Sequence, residues 1–160
     1  MSDNRDTPVQ SDDDGIRWTI AAYCHFMDDK QFDLCASLFT EDGEFLRPDG
    51  VTTSGRAALL DLFRGPSGPP PGPTRHVMVN HRIDHGGLGI ATCVSDFQYW
   101  SFADAAQLVT AGRYHDTLAF EDDRWRFRRR AVELIYNDAA LRARIKAGPV
   151  TYSADSNEPA

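Results

Sequence analysis

The sequence has little of what marks redox, metal, membrane or nucleic-acid proteins. It has only three cysteines, Cys24, Cys35 and Cys93, at no metal-like spacing. They read as small buried hydrophobes of a reducing compartment, so the expected location is the cytoplasm. No stretch approaches the roughly 18 apolar residues that a membrane helix needs. The opening MSDNRDTPVQSDDDG lacks an apolar core, so it is not expected to be a secretory signal. Positive charge is scarce, with 17 Lys and Arg against 24 Asp and Glu and a net charge of −7. That balance argues against nucleic acid, whose phosphates select basic surfaces. The one basic run, Arg124–Arg130, alternates with Trp125 and Phe127 and reads as a strand. Phosphate-binding glycine loops, Gly-x-Ser-x-Gly elbows and Cys-x-x-Cys pairs are all missing. His76, His81 and His85 suggest a metal, but on a strand an odd separation turns His76 and His81 to opposite faces, so no metal site is expected.

What remains is an ordinary composition, 41% apolar and 26% charged, over a length suited to one domain with a real core. Residues 1–13 are acidic and polar and are expected to be a disordered tail. Residues 14–147 form the expected domain, and 148–160 a loose C-terminal tail. Asp12, Asp13 and Asp14 offer helix caps at the positive end of a helix dipole. Ile16, Ile20, Tyr23 and Met27 then follow at helical spacing. A second helix is predicted over Phe32–Phe39, ended by Thr40-Glu41-Asp42-Gly43. A short strand is predicted at Glu44–Arg47, a turn at Pro48-Asp49-Gly50, and a third helix over Gly55–Arg64. The run GPSGPPPGP over residues 65–73 excludes helix and central strand and reads as a connector.

From there the chain becomes β-rich. Four long strands are predicted over residues 75–84, 88–102, 107–121 and 124–136, with a last helix over 138–147. Short connections favour antiparallel hairpins, and helices followed by a meander make an α+β domain with helices on one sheet face. On the first of these strands His76, Met78 and Asn80 share one face by alternation, and Arg75, Val77, Val79 and His81 the other. Asp28 ends the first helical pattern, 48 residues before His76. A carboxylate that orients an imidazole makes a general base able to work near neutral pH, and only the fold can bring these two together. Tyr23, five residues before Asp28 on the apolar stripe, is placed to reach the same cavity.

The order of motifs resembles a known family. It runs from a helix ending in Met27-Asp28-Asp29-Lys30, through Leu38-Phe39-Thr40-Glu41-Asp42-Gly43 and Gly55-Arg56-Ala57-Ala58, to Arg75-His76-Val77-Met78-Val79-Asn80. Gly112-Arg113-Tyr114-His115-Asp116 and Trp125-Arg126-Phe127 complete it. Over residues 14–136 this resembles the SnoaL-like branch of the nuclear transport factor 2-like superfamily. The resemblance implies a cone-shaped curved antiparallel sheet wrapped around the N-terminal helices, with a deep pocket. Its scytalone dehydratase and hexachlorocyclohexane dehydrochlorinase members pair an Asp at the end of the first helix with a His opening the strand after the third. Those positions correspond to Asp28 and His76, with Tyr114 at a pocket-lining place.

The resemblance therefore implies a cofactor-independent lyase or isomerase of dehydratase, dehydrohalogenase or cyclase type. Asp28 and His76 would form its general base, and Tyr23, Tyr114, Asn80 and Met78 would contact a small cyclic or polyketide-like substrate. It also implies a homodimer or homotrimer built through the outer sheet face. That face is expected to carry either Arg126, Arg128 and Arg130 or Trp125, Phe127 and Arg129. Arg82 and Asp84, which resemble the water-activating pair of limonene-type epoxide hydrolases in this superfamily, border a turn and suit a deep site poorly. The alternatives are non-catalytic: a structural partner such as the β subunit of a ring-hydroxylating dioxygenase, or a small-ligand-binding accessory domain.

Overall fold

A computed structural model describes residues 12–66 and 68–147. The tails expected over 1–13 and 148–160 lie outside the described residues, except Asp12 and Asp13. Those two already belong to the first helix, α1 (Asp12–Asp28), where the first-turn acids face the positive end of the dipole. The stripe Ile16, Ile20, Tyr23 and Met27 is buried as its spacing predicts. Thr19 joins it, and its hydroxyl donates to the Trp125 carbonyl at 2.7 Å, tying α1 to the sheet.

The next helix, α2 (Phe32–Ser37), is shorter than predicted because Phe39 already opens β1 (Phe39–Leu46). The predicted break at Thr40–Gly43 is strand instead. Gly43 permits this, since a Cβ there would lie 2.8 Å from the Phe39 Cβ and 3.0 Å from the Phe127 carbonyl oxygen. A three-residue strand that the pattern does not announce, β2 (Thr52–Ser54), pairs with β1. α3 (Arg56–Arg64) follows Gly55, whose φ of 87° suits glycine. The proline-rich connector carries no helix or strand among its described residues.

Four long strands then form the meander: β3 (Thr74–Gly87), β4 (Ile90–Ser101), β5 (Gln107–Glu121) and β6 (Arg124–Asn137). The sheet order is β2-β1-β6-β5-β4-β3. All neighbours run antiparallel except β1 and β6, which are parallel. The sheet is curved and unclosed, with β2 and β3 at its edges. The N-terminal helices fill its concave side, where Tyr23 packs edge to face against Phe39, Phe63 and Phe127. α4 (Ala139–Ala147) closes one end, its Leu141 packed on Tyr99 and Val109.

Two irregularities in the strands matter for the site. The β3 to β4 register slips between Val79 and Arg82, at Asn80, which has φ 56°. The β5 to β6 register slips where Leu118 faces Phe127 but Thr117 faces Arg129, leaving Arg128 unpaired. Each extra residue reverses the inward face beyond it. Trp125 and Phe127 therefore point into the core and so does Arg130, so neither predicted outer-face set is correct.

Candidate active site

Asp28 ends α1, where the helix dipole disfavours an anion. Three donors offset this. The His76 backbone N–H donates to Oδ2 at 2.8 Å, the Thr74 hydroxyl donates to Oδ1 at 3.2 Å, and the His76 Nδ1 lies 2.8 Å from Oδ1. Lys30 Nζ in turn donates to the Thr74 hydroxyl at 3.2 Å, orienting it toward the carboxylate. The two side chains are only 9% (His76) and 4% (Asp28) exposed. Burial works against the Asp28 charge, but the His76 ring and backbone and the Thr74 hydroxyl outweigh it and hold the carboxyl below its ordinary value. An ionised carboxylate accepts only, so the Nδ1 of His76 donates to it, and in the neutral imidazole Nε2 is the nitrogen with the free lone pair.

His76 lines a cavity of about 400 Å³ whose inner walls come from α1, α3 and the concave sheet face. Tyr23 and Tyr114 line it as predicted, and their phenols hydrogen-bond to each other. Burial pushes both phenols far above their ordinary value, so they stay protonated. Tyr99, which the sequence reading did not single out, stands opposite His76 on β4, with ring centroids 4.6 Å apart. Its hydroxyl is buried beside the Thr74 hydroxyl, and burial raises its pKa to about 12.

Beneath the tyrosines lies a second feature that alternation concealed. The fully buried Arg130 makes two 2.8 Å hydrogen bonds to Asp116. Its guanidinium carbon sits 4.2 Å from the Tyr23 and Tyr114 ring centres and 4.0 Å from that of Phe127. Burial opposes its charge, yet Asp116 holds its pKa above the ordinary value. The available signal was the run Arg128-Arg129-Arg130, which no strict alternation places on one face.

The remaining predicted contacts separate. Met78 is half-buried and packs on the core without lining the cavity. Asn80 is exposed and donates to Asp96 at 2.9 Å, away from His76. The expectation that Asn80 shares the His76 face fails because the slip at that residue turns it out. The same slip turns His81 inward, where its Nδ1 lies 2.8 Å from the buried Ser95 hydroxyl. His85 pairs with Asp13 at 2.7 Å, so the three histidines diverge. Arg82 and Asp84 are a 3.4 Å pair, 75% and 66% exposed.

A family model described as the SnoaL-like domain matches residues 9–131. No curated protein matches the chain. Solved structures are similar over most of its length. One is a nuclear transport factor 2-like protein with a cystatin-like fold from Novosphingobium aromaticivorans, 24% identical, TM-score 0.69, covering 82% of this chain and 87% of that one. A candidate scytalone dehydratase from the same organism is 23% identical, TM-score 0.67, with coverages of 76% and 83%. A type 2 hexachlorocyclohexane dehydrochlorinase is 20% identical, TM-score 0.66, with coverages of 76% and 84%. At these identities the likeness carries the fold and no activity.

Proposed function

The chain belongs to the SnoaL-like domain family, and from that premise we propose that it is a cofactor-independent lyase or isomerase with His76 as its general base. The observation that carries this reading is the 2.8 Å contact between Asp28 and the His76 Nδ1 at the wall of an open cavity. Asp28 fixes the tautomer and stabilises the imidazolium as it forms. The Nε2 lone pair then removes a proton from a carbon made acidic by an adjacent carbonyl or lying beside a leaving group. The electrons of that C–H bond form an enolate or a double bond, and in an elimination the leaving group departs with its own electron pair. Tyr99, whose ring lies 4.6 Å from that of His76 and lines the same cavity, is the donor placed to meet the developing oxyanion or leaving group, with Tyr23 and Tyr114 behind it.

The walls are largely aromatic and aliphatic, which suits a small cyclic or polyketide-like substrate. The three buried free thiols are in keeping with a reducing, cytoplasmic setting. His76→Ala tests the reading. Turnover should fall by about 10²–10⁴-fold with the fold intact by circular dichroism. An unchanged rate ends it.

A further inference from the structure

The Asp28–His76 pair accounts for the inner end of the cavity and leaves its rim unexplained. Arg142 and Lys146 lie four residues apart on α4, hence on one face of the helix, and both line the cavity. Across from them stand Arg47 and Asp49, which pair with each other. Among the described residues no acid lies within ion-pair distance of Arg142 or Lys146, although the chain carries 24 acids against 17 bases. Lys146 Nζ donates to the carbonyl of Pro66, a neutral partner. Arg142 Nε is buried with no hydrogen-bond partner among the described residues.

A buried charged N–H of this kind is costly to leave unsatisfied. What would satisfy Arg142 and Lys146 together is a negatively charged acceptor. A planar carboxylate matches the guanidinium fork. The carboxylate of Asp28 behind His76 keeps an anionic group away from the inner end. The rim is where such a group is stable.

We propose that this rim is a carboxylate-binding subsite, so that the substrate is an apolar ring system bearing an acid group. Arg142 and Lys146 hold the acid and turn the reacting carbon toward His76. The subsite thus narrows the substrate class of the activity proposed above and rests on that reading only for the direction in which the ring points.

The test uses 2-naphthoate and uncharged 2-naphthamide as paired probes of the full chain, with binding measured by calorimetry. The carboxylate should bind at least about tenfold more tightly than the amide. The preference should shrink in Arg142→Gln and in Lys146→Gln and vanish in the double variant, while amide affinity, which also reports an intact cavity, stays unchanged. Equal affinity for the two probes in the unaltered protein overturns the proposal. So does binding of neither, or a preference that survives the double substitution. His76→Ala separates this from the catalytic reading, because the subsite predicts that the variant keeps the full preference whatever happens to turnover.

Discussion

Asparagine at position 28 keeps the shape of the Asp28 side chain and removes its charge. In the native site Oδ1 faces the His76 ring at 2.8 Å and the Thr74 hydroxyl at 3.2 Å, and Oδ2 faces the His76 N–H at 2.8 Å. An amide has one acceptor oxygen. If its NH₂ replaces Oδ2 it meets the His76 N–H, donor against donor. If it replaces Oδ1 it meets the ring and the threonine, and the imidazole must adopt the tautomer that protonates the nitrogen facing the cavity. Either way at least one buried bond to a charged acceptor is lost, a cost of about 1.5–3 kcal/mol. The pH dependence has a definite sign. Because the folded carboxyl lies below its ordinary value of 3.8, its contribution is complete above that value and disappears as pH falls through the depressed one. Urea unfolding followed by tryptophan fluorescence should show Asp28→Asn less stable near about pH 7, with a deficit that shrinks below about pH 4. A variant as stable as the native protein near neutrality, or a deficit that persists undiminished into acid, refutes the reasoning.

Tyr99→Phe removes a buried hydroxyl that lies beside the Thr74 hydroxyl. It should cost no more than about 1 kcal/mol of urea stability, the worth of one neutral hydrogen bond, while lowering turnover by about 10–10²-fold, the worth of one hydrogen bond to developing charge. Loss of stability without loss of rate would contradict the assigned role. Asp116→Asn strands the buried Arg130 charge and should cost about 3–5 kcal/mol in urea unfolding. Asp116→Leu combined with Arg130→Met should recover most of that stability, and a double variant as unstable as the single one would show that packing, not pairing, is at stake.

Much of this site was legible because its first elements are locally periodic. The stripe Ile16, Ile20, Tyr23 and Met27 fixes which face of α1 is buried and so aims Tyr23 inward. His76 was legible because it lies at the start of β3, ahead of any irregularity. Beyond the slip at Asn80 the same alternation gives the wrong face, and Asn80 and His81 exchange places. Arg130 was missed for the same reason on β6, where one extra residue turns a basic surface strand into a core ion pair. An asparagine inside a strand and three consecutive arginines are the local traces of these bulges, since asparagine tolerates positive φ and three like residues defeat a period of two.

Tyr99 was hidden more deeply, because its place depends on the register between two strands. Gly87 faces Ile90 at the turn, and counting outward from that pair without slips would set Ser101 opposite His76. The register slips once between His85 and Gly87 and once between Val79 and Arg82. Each slip adds a residue to β3 with none added to β4, so the partner of His76 moves from Ser101 to Tyr99. A serine at that place would be too short to stack on the imidazole, whereas the tyrosine ring lies 4.6 Å from it and carries its hydroxyl onward toward the cavity rim beside Arg142. The two extra residues in β3 therefore do more than bend an edge strand. They choose which side chain of β4 meets the proposed base, and with it whether a phenol is available to the developing charge.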